Sequence, residues 1–96
     1  MSAYIFFQRL NTTDLAQLEL YEKNIGNAVG NYPLEVLAYG TKHENLEGQP
    51  TETARLVKFP SIEAAKSWYY SDEYTAIRAH RTNGGEHMAV IFEGNN

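Results

Sequence analysis

The sequence contains no cysteine among its 96 residues. Disulfide bonds, thiolate metal sites and a cysteine nucleophile are therefore excluded. The absence agrees with a reducing cytoplasm, which we take as the expected location. No signal peptide is expected, because the short apolar stretch near the N-terminus follows no basic segment. No apolar run approaches the ~20 residues that span a bilayer, so we expect no membrane partner.

Positive charge is also scarce. The chain has 8 Lys and Arg against 12 Asp and Glu, which gives a formal net charge of -4. Because binding to a phosphate backbone needs clustered basic residues, this composition argues against a nucleic-acid partner. Hydrophobic residues make up 43% of the chain and charged residues 21%, as in ordinary globular proteins. The length predicts a single domain over residues 1–96.

Four segments are rich in aromatic and β-branched residues, and turn-forming residues lie between them. This pattern predicts four strands, at residues 3–10, 34–40, 54–59 and 88–93. In the second strand, Leu34, Val36 and Ala38 alternate with residues of the opposite face. The first and fourth strands are apolar on both alternating faces, which predicts that both faces are covered.

Two helical segments separate these strands. Apolar residues recur with a period of about 3.6 over residues 15–29, which predicts an amphipathic helix. Thr13 or Asp14 is its N-cap, and Gly30 is expected to end it in a left-handed conformation. The second helical segment begins after Ser61, which has the side chain of a good N-cap.

The second helical segment is expected in two pieces. Ser71 and Asp72 interrupt it and can cap a shorter helix over residues 73–81. Residues 82–85 include two glycines and are predicted to form a turn before the fourth strand. The resulting element order is β-α-β-β-α-β, with the last helical element divided.

This order predicts an α+β domain of ferredoxin-like topology, in which a four-stranded antiparallel sheet carries its helices on one face. The helices cover only one face, although the first and fourth strands are apolar on both. Left exposed, the second face would be an apolar patch of several hundred Å² or more, which is unusual for a soluble monomer. We therefore expect a homodimer in which two sheets pack face to face.

The second helical segment carries a pattern that is moderately specific when its parts are taken together: Phe59-Pro60-Ser61, Glu63-Ala64-Ala65, Trp68-Tyr69, Ser71, Glu73-Tyr74 and Arg81. With these residues the chain resembles the family called domain of unknown function 1330, over nearly its whole length. The resemblance implies a small dimeric α/β barrel of ferredoxin-like topology, without an established reaction. The chain departs from the family pattern at residues 39–43, where the family often has Arg-Gly, and in its extra residues 85–87.

Arg81 is a candidate ligand-binding residue, because a guanidinium group pairs with a planar carboxylate through two hydrogen bonds. The family pattern also places an arginine there. The alternative is that Arg81, like Arg78, only complements the negative end of the helix dipole. Trp68 and Tyr74 are candidates for an aromatic pocket, with ordinary core packing as the favoured alternative.

His80 and Glu47 are the candidates for proton transfer, since a histidine or a desolvated carboxyl group can act near neutral pH. His43 is retained as a ligand-binding candidate. For His43 and His87, a solvated loop histidine is the favoured alternative, and for Glu47 a surface acid. The histidine spacings match no metal motif, so we expect no metal site and no cofactor.

Two functions remain open on the sequence alone. The first is a cytoplasmic homodimer that binds a small organic acid, with or without cofactor-independent isomerase, dehydratase or monooxygenase activity. In that case Arg81 holds the anion, and His80 or Glu47 transfers protons. The second is a non-catalytic regulatory or partner-binding module. Whether the chain is an enzyme is left open.

Overall fold

The computed structural model describes residues 1–40 and 42–95. The elements in chain order are β1 (Ala3–Thr12), α1 (Leu15–Val29), β2 (Glu35–Gly40), β3 (Thr53–Phe59), α2 (Ile62–Tyr69), α3 (Asp72–Gly84) and β4 (Gly85–Glu93). The strands form one antiparallel sheet in the order β2-β3-β1-β4. The predicted ferredoxin-like arrangement is confirmed, with the second helical element divided into α2 and α3.

The core lies between the three helices and one face of the sheet. Ile5 and Phe7 of β1 point to this face, as do Val57 and Phe59 of β3, and all four are buried. Trp68 of α2 packs against Phe7 and Phe59 with ring centroids 6.5 and 5.7 Å apart. The alternation of buried and outward residues along β1 is what a strand covered by helices on one side requires.

The second face of the sheet has no covering element among the described residues. Its apolar side chains, which we call the open face, are Tyr4, Phe6, Leu56, Met88, Val90 and Phe92. Met88 and Val90 are each 53% exposed and Phe92 is 44% exposed. The predicted apolar face opposite the helices is therefore present in the fold.

Side-chain caps begin all three helices. Asp14, one of the two predicted N-caps of α1, accepts a hydrogen bond from the backbone N–H of Ala16 at 3.1 Å. Ser61 and Ser71 cap α2 and α3 in the same way. Gly30 ends α1 with a φ of +48°, a value that L-residues with a Cβ rarely adopt. The predicted caps are confirmed. Gly30 has the predicted positive φ, but its ψ of -125° lies outside the left-handed helical region.

The prediction of a turn at residues 82–85 is wrong. Helix α3 continues to Gly84, and β4 begins at once with Gly85. The carbonyl of Gly84 accepts hydrogen bonds from the N–H groups of Thr13 and Asp14, at 2.8 and 3.0 Å. A Cβ on Gly84 would lie 2.5 Å from a methyl carbon of Leu18. The glycines therefore permit close packing of α3 on the start of α1.

The predicted alternation along the second strand is also wrong. A β-bulge between Val36 and Ala38 places these two residues on opposite faces of the sheet. After the bulge, Tyr39 pairs with Arg55 of β3. The bulge thus turns the Tyr39 ring toward the helical side, where the Arg55 guanidinium lies 4.1 Å from its centroid.

Candidate functional site

A partly open cavity of about 40 Å³ lies between α1, α3 and the helical face of the sheet. This volume has room for a few water-sized groups, so a small head group such as a carboxylate fits in it. Its polar lining comes from six elements and comprises Gln8, Arg9, Tyr21, Glu22, Tyr39, Thr53, Arg55, Arg81 and His87. Three of these residues are arginines and one is a glutamate, so the cavity is a candidate anion site.

Arg81 has the fewest hydrogen-bond partners relative to its buried donors among the three arginines. Its side chain projects from α3, and the residue is only 7% exposed. The Nε and Nη1 atoms are buried and have no hydrogen-bond partner among residues 1–40 and 42–95. The guanidinium carbon lies 5.2 Å from the centroid of the Phe7 ring. Buried charged groups are almost always paired. Because Arg81 lines the cavity and has two unpaired donors, it is the candidate partner of an anion bound there.

The other two arginines already have acidic partners. Arg9 donates from Nε to Glu52 at 3.0 Å. Arg55 donates from Nη2 to Glu22 at 3.2 Å. Both acids are more than 40% exposed, so each pair is partly solvated. The unpaired donors of Arg81 therefore set it apart at the wall of the cavity.

Two buried tyrosines lie beside Arg81. The hydroxyl oxygens of Tyr21 and Tyr74 are 2.9 Å apart and share one hydrogen bond. Burial raises the pKa of both phenols, and the positive charge of Arg81 opposes this effect. Both groups are therefore neutral at pH 7. The pair has two hydroxyl hydrogens and one mutual bond, so one hydrogen remains for a further acceptor.

His87 reaches the cavity from β4, where it faces Arg9 of β1 in the sheet register. Its Nδ1 lies 3.1 Å from the carbonyl oxygen of Gly85. A carbonyl only accepts, so Nδ1 carries the hydrogen and Nε2 is the basic nitrogen. Burial lowers the pKa of His87, and the charges of Arg81 and Arg9 lower it further. The imidazole is therefore neutral at pH 7.

The structure places two of the predicted aromatic ligands in the core. The Trp68 indole N–H donates to the carbonyl of Ala28 at 3.1 Å. Tyr74 has no exposed surface, and its ring stacks on Trp68 with centroids 4.1 Å apart. Tyr74 does not line the cavity, but its hydroxyl bonds to that of Tyr21, which does, and Arg81 acts on it electrostatically.

Three other predicted residues lie away from this cavity. His80 points from α3 to α1, where its Nδ1 is 2.8 Å from Oε1 of Gln17. The Nε2 of His43 is 2.6 Å from the carbonyl of Thr51, and Glu47 is exposed in the same loop. The structure does not bring these three side chains together with Arg81, and their proposed roles stay predictions.

His87 is one of the cavity residues that the sequence pattern does not identify as site candidates; the others include Arg9, Tyr21, Tyr39 and Arg55. The pattern places His87 in a loop because it predicts that the fourth strand begins at residue 88. Extending the alternation of Ala89 and Ile91 by one step places His87 on the helical face, opposite Arg9. The alternating pattern of the strand, extended upstream of residue 88, is therefore the sequence signal that indicates the position of His87.

Within the described part of the chain, no group of three or more His, Asp and Glu side chains is arranged to hold a metal ion. The same residues include no helix with the length and apolarity needed to traverse a bilayer.

The sequence of residues 2–95 matches the family described as Domain of unknown function (DUF1330). The chain belongs to this family. No curated protein matches it in sequence.

Solved structures share the fold at low identity. A protein of unknown function from Rhodopseudomonas palustris has a TM-score of 0.73 and 11% identity, and the match covers 99% of this chain and 83% of that one. A dimeric ferredoxin-like protein of unknown function from Bacteroides fragilis has a TM-score of 0.68 and 13% identity, with 97% and 96% covered. Hydroxynitrile lyase from Passiflora edulis has a TM-score of 0.69 and 16% identity, with 99% and 94% covered.

Proposed function

We propose that this protein binds a small organic carboxylate in the arginine-lined cavity, with Arg81 as the main partner. The observation that carries the proposal is the pair of buried Nε and Nη1 donors without a partner among the described residues. Arginine binds a carboxylate in parallel through Nε–H with Nη2–H, or through Nη1–H with Nη2–H. Each of the two unpaired donors of Arg81 belongs to one of these edges, so either edge has a donor for a carboxylate oxygen.

The local charges support a monoanion. Arg9 and Arg55 are each paired with one glutamate, and His87 is neutral near pH 7 because burial lowers its pKa. The positive charge of Arg81 is therefore not compensated by a neighbouring acid, and one bound carboxylate would neutralise it. A buried unpaired charge is costly, so the anion stabilises the folded protein as it binds.

We also propose that the protein is a homodimer in which the open face is covered by the same face of a second copy. The support is the exposure of Met88, Val90 and Phe92 on one side of the sheet. Structural neighbours from Bacteroides fragilis and Thermobifida fusca are described as dimeric. The cavity lies on the helical side of the sheet, so each subunit of such a dimer keeps its own site.

The binding proposal is tested by thermal unfolding with acetate, pyruvate and benzoate, each compared with its neutral amide. At ten times Kd, binding adds about 1.4 kcal/mol, which raises Tm by several degrees for a domain of this size. We expect carboxylates to stabilise the wild type and the amides to have no effect. Arg81→Gln is expected to abolish the shift.

Arg78→Gln is the matched control. Arg78 lies one helical turn from Arg81 and stacks on the Tyr69 ring at 4.7 Å, outside the cavity. Its replacement removes the same charge from the same helix and should leave the shift unchanged. Equal stabilisation of Arg81→Gln, or equal stabilisation by the amides, would contradict the proposal. A complete lack of binding would favour the non-catalytic partner-binding module.

A further inference from the structure

We propose that His87 is the proton-transfer group of this cavity and that it removes a C3 proton from short 2-oxo acids held by Arg81. This inference rests on the carboxylate-binding function proposed above. It adds a reaction type, carbon-acid proton transfer, and a substrate class, carboxylates with an adjacent keto group.

The first support is the orientation of the imidazole. Its Nδ1–H donates to the Gly85 carbonyl at 3.1 Å, which fixes the ring and leaves the lone pair on Nε2. Nε2 has no hydrogen-bond partner among the described residues, and His87 lines the same cavity as Arg81. A base with a fixed tautomer and a free lone pair, beside a group that holds the substrate, is the arrangement that general-base catalysis needs.

The second support is the distribution of charge around the imidazole. The charged groups that act on it come from three places: Arg81 on α3, Arg9 on β1 and Glu52 beside β3. The two guanidinium groups disfavour the imidazolium form. When a carboxylate neutralises Arg81, that repulsion weakens, so His87 becomes a stronger base only when a ligand is bound. Ligand binding and basicity are thus coupled through Arg81.

The proposed step is balanced without a further reactant. Nε2 takes the proton from C3, and the electron pair of the C–H bond forms the C2–C3 double bond of an enolate. The keto oxygen then carries the negative charge. Because the carboxylate occupies the Arg81 donors, the donor available to this oxygen is the hydroxyl hydrogen that the Tyr21–Tyr74 pair leaves over. Return of the proton restores the substrate, and in D₂O a deuteron replaces it.

The size of the cavity favours short acids. A volume of about 40 Å³ has room only for a small acid group and its nearest atoms. Tyr39, which is 51% exposed, lines the same cavity. The 2-oxo acids with three or four carbons are therefore the appropriate probes.

The test follows loss of the C3 proton signal of 2-oxobutyrate in D₂O by ¹H NMR, at pD 7 and with buffer as the reference. We expect the wild type to accelerate exchange over buffer. His87→Gln should lower the rate by a factor of about 10²–10⁴, the usual contribution of a general base, with Kd for 2-oxobutyrate changed less than threefold. Added imidazole should restore part of the rate in His87→Ala, which a purely structural role would not allow.

The binding measurement separates the two proposals. If the wild type binds 2-oxobutyrate but does not accelerate exchange, the proton-transfer proposal is overturned and carboxylate binding stands. Unchanged exchange in a folded His87→Gln variant also overturns it. If the wild type does not bind 2-oxobutyrate or the other carboxylates, the binding function itself fails, and the inference fails with it.

Discussion

The buried hydrogen bond between Tyr21 and Tyr74 predicts strong energetic coupling beneath the cavity. Tyr21→Phe or Tyr74→Phe removes this 2.9 Å bond and leaves the remaining hydroxyl group in the core without its partner. Such a loss costs about 1–3 kcal/mol, because the desolvated hydroxyl is not compensated. The double variant removes both hydroxyl groups, and replacement of both partners by apolar groups can be nearly neutral.

We therefore expect each single variant to lower the free energy of unfolding by about 1–3 kcal/mol, and the double variant to lose much less than the sum. The coupling energy should be at least about 1 kcal/mol, within the range for residues in direct contact. On thermal unfolding, each single variant should lose roughly 4–8 °C per kcal/mol.

The assay is urea unfolding followed by the fluorescence of Trp68, whose ring lies 4.1 Å from that of Tyr74. Tyr70→Phe is the control, since Tyr70 is 70% exposed and its hydroxyl should contribute less than about 0.5 kcal/mol. If the losses of the single variants simply add in the double variant, the two hydroxyl groups are not coupled and the account of this buried pair is wrong.

Three further predictions concern other parts of the fold. Gly85→Ala should destabilise the protein by several kcal/mol or prevent folding, because a Cβ would overlap the Asn11 carbonyl. Gly26→Ala, on the open surface of α1, should instead stabilise it by about 0.5–1 kcal/mol. Urea unfolding measures both free energies, and equal effects of the two variants would contradict the packing argument. Val90→Asp should produce monomers in sedimentation analysis if the open face is the dimer interface, and an unchanged mass would refute that interface. The pKa of His87 is lowered in the folded state, so as pH falls the unfolded chain protonates this imidazole before the folded protein does. The free energy of unfolding should therefore decrease as pH drops from about 6.5 toward the lowered pKa of the folded state. His87→Gln should reduce this dependence of stability on pH, and an identical dependence in the variant would show that His87 does not cause it.

The local features of this fold were predictable because their causes lie within a few residues. The bounds of α1 agree with the prediction at both ends, since Asp14 and Gly30 mark them through cap geometry. Ser61 and Ser71 were assigned as caps for the same reason. Helix periodicity and capping side chains depend on neighbours in sequence, so one sequence is sufficient to find them.

The errors arose where distant contacts override local pattern. Gly84 belongs to a helix because its backbone packs against Leu18 and bonds the start of α1, which no local signal encodes. The bulge after Val36 likewise depends on pairing with β3. His87 became a cavity residue only because β4 extends upstream along β1.

Only one residue of the candidate site, Arg81, could be predicted from the sequence. Arg81 was identified from its chemistry and its place in the family pattern. The sequence does not show that the Arg81 donors are buried and unpaired, because this depends on how α3 packs against α1 and the sheet. Sequence patterns indicate which side chains can bind an anion, whereas burial and the pairing of neighbouring charges decide which one is available.

The central claim is that the Arg81 guanidinium group receives a carboxylate, and the most direct measurement is the ¹H–¹⁵N resonance of its Nε–H during titration with pyruvate. Hydrogen bonding to the anion predicts a downfield, saturable shift of this resonance, with no comparable change at Arg78. The fitted Kd should agree with that from thermal unfolding. A saturable pyruvate response elsewhere in the spectrum, with the Arg81 resonance unmoved, would contradict the claim.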